Sequence, residues 1–131
     1  MLVQIEISPG ELLDRIAILE IKQRRLVEAS KRANVTSELD RLKQVQDRAL
    51  SLDDDLRRLC IELEQINDEI WVLTDRVYEG RRQGPVDGRL VELCLRAFDL
   101  NRVRAQIKRR IDDRLGSSIL EEKNYGDIVN A

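Results

Sequence analysis

Apolar and polar residues alternate at the start of the chain and then change period. Val3, Ile5 and Ile7 alternate with Gln4 and Glu6, the period-2 pattern of a strand with one buried face, and this predicts a short strand over residues 2–7. At Ser8 the code becomes helical. Ser8 is a capping residue type, Pro9 suits the first helical position, and Glu11 stands where its carboxylate could return to the Ser8 amide and close a capping box. Ile7 and Leu12 occupy the two positions of a hydrophobic staple. Neither Gly nor Pro occurs from Glu11 to Glu79, so a single interruption is expected, at "ANVTSELD", where Asn34, the β-branched pair Val35 and Thr36, and the Ser37/Asp40 spacing mark a turn. The first helix is therefore expected over about 9–33.

The next segment carries the most regular pattern. Leu42, Val45, Ala49, Leu52, Leu56, Leu59, Leu63, Ile66, Ile70, Leu73 and Val77 follow one another at strictly alternating gaps of three and four, the seam of a helix that packs along a partner in coiled-coil fashion. The seam favours one helix over about 38–79, roughly 63 Å long at 1.5 Å per residue. A competing reading breaks it at "SLDDDL", where Ser51 and Asp54 have capping-box spacing. Gly80 supplies a stop, "GRRQGPVDG" reads as a loop, Asp87 can cap a third helix over about 88–115, and Gly116 ends it. The tail, 117–131, holds Ser118 and Glu121 at the spacing of one capped helical turn and is expected to fray beyond Gly126.

These elements predict one all-α domain: a three-helix antiparallel arrangement around one long central helix, with a short N-terminal β-strand. Short connections would lay the outer helices along opposite ends of the central one, overlapping only at its middle. Glu20 projects between Ile16 and Leu13 on the inner face of the first helix, and on this arrangement Asn67, Asn101, Arg104 and Lys108 fall near its level. A structural ion-pair network that fixes helix register is one reading of that cluster. A small-anion site bounded by Arg104, Lys108 and Lys22 is the other. Trp71 and Tyr78, one heptad apart, extend a second apolar stripe and read either as core or as a patch for a protein partner.

Composition narrows the chemistry. The chain of 131 residues has a formal net charge of −2 although 37% of its residues are charged, so both signs are interspersed rather than gathered into one field. That balance argues against nucleic acid as a partner, and the basic run "NRVRAQIKRRIDDR" lacks interleaved aromatics and is interrupted by Asp112 and Asp113. Histidine is absent, which removes Ser-His and Cys-His catalysis and His-ligated metal sites. No catalytic residue, metal or cofactor is expected. Cys60 and Cys94 lack CxxC spacing and read as buried free thiols in a reducing compartment. No segment approaches the roughly 18 apolar residues of a membrane span, and "MLVQIEI" has no positive n-region or long apolar stretch, so a cytoplasmic location without membrane contact is expected.

Five stretches, "ISPGELLDRIAILEIKQRR", "RANVTSELDRL", "INDEIW", "NRVRAQIKRRI" and "GSSILEEKNY", together resemble an uncharacterised family of short bacterial proteins known as a domain of unknown function. The resemblance runs in order along almost the whole chain and implies no activity. Where that family's pattern has an Asn-Asp pair before "RA", this chain has Asn101-Arg102. The first helix also loosely resembles that of the all-helical chorismate mutases, a resemblance that would give Arg15 and Arg25 a role in binding a dicarboxylate. The reading that joins these features is a non-enzymatic helical interaction or assembly protein that forms a homodimer or binds a protein partner. The alternative is a small anion-binding domain or enzyme.

Overall fold

The computed structural model describes residues 1–123, and over them the chain is helical with no strand: α1 (Pro9–Arg25), α2 (Ala29–Ala49), α3 (Asp54–Gln83) and α4 (Gly88–Arg114). The expected fraying beyond Gly126 lies outside the described residues. The expected strand is absent because residues 2–7 have no strand to pair with. Leu2, Val3 and Ile5 stand in water, and only Ile7 packs on the core. An alternating pattern alone leaves the backbone donors and acceptors without a ladder.

The helix starts are set by local chemistry. Ser8 Oγ accepts the Glu11 amide at 3.1 Å, Asp53 Oδ1 the Leu56 amide at 2.9 Å, and Asp87 Oδ1 the Leu90 amide at 2.9 Å, three N-caps of the kind worth about 1 kcal/mol each. The capping box at α1 is only half made, because the Glu11 carboxylate turns to Lys108 and Arg15 instead of to the Ser8 amide. At the other end of the chain Gly116 takes φ 66°. Its amide and that of Ser117 reach back to the carbonyls of Asp113 and Asp112, which satisfies the last carbonyls of α4.

Several expected boundaries move. α1 stops at Arg25, eight residues early, and "ANVTSELD" lies inside α2. Val35 is buried in the core, and Thr36 Oγ1 accepts a hydrogen bond from Gln23 Nε2 at 3.0 Å, so the β-branched pair packs against α1 rather than forming the turn. The expected 38–79 helix is two helices, separated by Leu50–Asp53. Three successive aspartates explain the break: Asp53 caps, and Asp54 and Asp55 occupy the first turn of α3, where carboxylates favour the positive end of the helix dipole, whereas mid-helix they would be poor formers. The apolar seam survives the break because Leu50 and Leu52 pack on the core from the linker itself. Gly80 does not stop α3, which runs on to Gln83. A Cβ on Gly80 would sit 3.0 Å from Leu90 Cδ1, so its small size lets α4 lie close. The tail residues 117–123 form no helical turn.

The central element is therefore α1 and not a long middle rod. α3 and α4 form an antiparallel hairpin, α1 packs on both, and α2 folds back along α1 alone. Leu12, Leu13, Ile16 and Leu19 of α1 meet Leu39, Leu56, Leu63 and Ile111 in one buried cluster. α1 and α4 come close at Gly10, where a Cβ would lie 2.6 Å from the Lys108 carbonyl oxygen and 2.8 Å from Asp112 Oδ1. The Gly10 amide donates to that same Asp112 oxygen at 2.7 Å, so α4 supplies a cap for the first turn of α1. Gly10→Ala should destabilise the protein by about 2 kcal/mol or more through overpacking, read as a lowered urea midpoint, whereas Gly88→Ala, with nothing near its Cβ, should change it little.

Candidate functional site

A buried carboxylate organises the polar interior. Asp14 is only 1% exposed and lies on the α1 face that carries Gly10, Ile18 and Ile21. Its Oδ1 accepts Arg104 Nε at 2.9 Å and Asn67 Nδ2 at 2.9 Å, and its Oδ2 accepts Arg104 Nη2, a guanidinium fork closed on a carboxylate. Asn67 Nδ2 also donates to the Leu63 carbonyl at 3.0 Å, and Arg104 Nη1 donates to Asn101 Oδ1 at 3.3 Å. One helix turn along α4, Lys108 Nζ donates to Glu11 at 2.7 Å and to Glu121 of the tail at 2.8 Å, and lies 4.0 Å from Asp14 Oδ2.

The ionisation of these groups follows from their neighbours. Burial pushes the Glu11 carboxyl up, but hydrogen bonds from Lys108 and Arg15 and their charges outweigh it and leave it below the usual range. Burial likewise opposes the Lys108 charge, and Glu11, Glu121 and Asp14 together overcome it, so the ammonium is held above its ordinary value. The hydrogen bond to Asp14 raises Arg104 against the cost of desolvation. Glu121 is drawn down to about 2 by the hydrogen bonds from Lys108 and Lys123. Charges here are paired and fixed.

Of the expected cluster, Asn67, Asn101, Arg104 and Lys108 do come together, but around Asp14 rather than Glu20. Glu20 faces α2 and pairs with Lys43 at 3.1 Å, because it lies 240° around the helix from Asp14 at 100° per residue. Lys22 stays apart, half-buried and with no ion pair among the described residues. The sequence does carry a signal for Asp14: it is the one acid within "LLDRIAIL", where every residue but Asp14 and Arg15 is apolar. Arg15 pairs with Glu11 of its own helix, and Arg25 closes a fork on Asp68 at 2.8 and 2.9 Å. The basic run of α4 is largely turned to acids: Arg109 to Asp113, Arg110 to Glu62, and Arg114 to Asp53 and Asp55. Cys60 and Cys94 are half-buried free thiols, and burial together with the nearby Glu20 charge pushes the Cys60 thiol up.

Beside the Asp14 network a groove of ≈ 280 Å³ opens between α1 and α3. Ile18, Ile21, Ile70, Trp71 and Tyr78 form its apolar walls, and Asn67 and Arg104 line it too. The expected partner patch and part of the expected polar cluster thus share one concavity. Trp71 is half-buried, and Tyr78 is 62% exposed. A second apolar surface, which sequence reading missed, is on the far side of α4: Val91, Leu95 and Phe98 recur at gaps of four and three and are 46%, 55% and 68% exposed.

The match of a family model to residues 3–131, described as "Family of unknown function (DUF6165)", decides the affiliation. The chain belongs to this family. No curated protein and no solved structure matches it. As in the sequence reading, family membership brings no activity with it. Among the described residues of this family member, no helix is long and apolar enough to cross a membrane, and no group of Cys, Asp and Glu could hold a metal ion.

Two predictions follow from the geometry of Asp14 and Glu121. Asp14→Ala strands the partly buried Arg104 and should cost about 3 kcal/mol, while Glu20→Ala, at a half-exposed pair, should cost under about 1 kcal/mol; urea unfolding of both variants gives the comparison. Glu121 has a depressed folded-state value, so its contribution is present above pH 4.5 and is lost as pH falls toward about 2. Wild type should therefore exceed Glu121→Gln in melting temperature at pH 6, and the difference should vanish near pH 2.

Proposed function

We propose that the protein is a non-enzymatic helical assembly protein that pairs with a second copy of itself through the outer face of α4. The observation that carries this reading is the Val91, Leu95 and Phe98 stripe. It lies on the part of the α3–α4 hairpin where only Leu73, Leu90 and Leu100 are buried. With so few residues buried there, this end of the hairpin is a two-helix arm, and an arm of two helices has one layer too few to shelter apolar residues on its outer side. A helix that presents residues at i, i+4 and i+7 offers a seam to another helix, and antiparallel pairing of α4 with its own copy would bury both stripes with one self-complementary contact. The ion pairs of the interior support the non-enzymatic part. Lys108 is held protonated and Glu11 and Glu121 are held ionised, so none is poised near neutral pH to exchange a proton, which general acid-base catalysis needs.

Sedimentation equilibrium tests this. At about 100 μM, well above a micromolar dissociation constant, wild type should be dimeric. The double variant Leu95→Glu, Phe98→Glu should be monomeric with unchanged helical circular dichroism. A wild-type chain that stays monomeric at that concentration overturns the reading.

A further inference from the structure

Asn67 and Arg104, which line the groove between α1 and α3 together with exposed Thr74 and Asp75, each keep hydrogen-bonding capacity that the interior leaves unused. Asn67 gives its Nδ2 to Asp14 and to the Leu63 carbonyl. Both partners only accept, so the orientation of the amide is fixed by chemistry and its Oδ1 is the atom left over. No described residue donates to that oxygen, and it is not sealed from solvent, since no buried side-chain oxygen lacks a partner. Arg104 spends three N–H groups on Asp14 and Asn101, which leaves two of the five a guanidinium carries. Its side chain remains 28% exposed and lines the groove. Asn67 and Arg104, both bonded to Asp14 Oδ1, thus bring an acceptor and a charged donor to one groove, next to walls of Ile18, Ile70, Trp71 and Tyr78.

We propose that this groove binds a small planar aromatic molecule with an uncharged lactam or carboxamide edge. The ligand's carbonyl oxygen would accept from Arg104, and its neighbouring N–H would donate to Asn67 Oδ1. Trp71 and Tyr78 supply ring faces on which a flat molecule packs. At ≈ 280 Å³ the space is just below the usual range of ligand cavities, about 300 to 1,000 Å³, and suits one or two fused rings. The edge is neutral because Arg104 is already neutralised by Asp14. A carboxylate ligand would meet no uncompensated cation and would lose its hydration beside the Asp14 charge. The inference does not rest on self-association, which uses the opposite face of α4.

The chain has one tryptophan, so its single indole N–H resonance reports on the groove. Three probes separate the elements of the claim: 2-quinolone, which has the lactam edge; N-methyl-2-quinolone, which has lost the donor; and quinoline-2-carboxylate, which adds a charge. 2-Quinolone should shift the Trp71 resonance saturably below about 1 mM, and the N-methyl compound and the anion should bind at least about tenfold more weakly, a factor that one hydrogen bond supplies. Tyr78→Ala and Thr74→Phe, both at exposed positions, should weaken 2-quinolone about tenfold while leaving the melting temperature in place. Equal binding of the N-methyl compound, preference for the anion, or no saturable shift with any probe overturns the proposal, as does unchanged affinity in both variants.

Discussion

The burial of one carboxylate, Asp14, constrains the rest of the molecule. A charge that is 1% exposed persists only if it is paired and hydrogen-bonded, and here the partners come from two other helices, Asn67 of α3 and Arg104 of α4. A planar guanidinium meets a carboxylate bidentately in one relative orientation, so the pair fixes how α1 is rotated and how far it slides along α4. Gly10 sets the third coordinate, the distance, because no side chain fits between α1 and the Lys108 carbonyl. A buried pair of this kind adds little net stability compared with apolar packing. What it contributes is a single register for a helix whose surrounding Leu and Ile residues would tolerate several.

That constraint explains which parts of the fold were legible in the sequence. Signals that act within four residues were read correctly where they stand alone: the Ser8 cap, the Asp87 cap and the Gly116 ending are all made as expected. The errors arose where a local signal competed with a contact far along the chain. Glu11 had the spacing to close a capping box, but Lys108, 97 residues away, takes its carboxylate. Val35 and Thr36 looked like a turn and are held in a helix by burial against α1 and by Gln23. The seam from Leu42 to Val77 has the pattern of one rod because periodicity records which residues face the core, not whether the backbone between them is helical, and Leu50 and Leu52 keep facing it from an extended linker.

The candidate site shows the same division. Four of the six expected cluster residues lie together, since their positions along α3 and α4 follow from antiparallel pairing. Glu20 does not join them, because its place depends on the roll of α1, and that roll is decided by Arg104 and Gly10, neither of which a pattern confined to α1 can register. Once α1 is placed, Ile18 and Ile21 follow Asp14 along the same face, and the groove with Trp71 and Tyr78 becomes a consequence of the ion pair and not a separate feature.

The two ends of α1 are held by different physics, and this sets where the molecule should yield. Its first turn is anchored by groups removed from water, Gly10 against Asp112 and Asp14 against Arg104. Its last turn is held by Arg24 and Arg25 on Glu64 and Asp68 at the surface, where solvent screening leaves each pair little net stabilisation. α2 approaches only α1, and it buries just Val35 and Leu39. With so little apolar area to lose, α2 and the end of α1 form the low-stability part of the fold in the sense of local opening. The Asp14 network and the α3–α4 hairpin can then stay closed while α2 lifts, which places the groove's polar floor on the rigid side of the molecule.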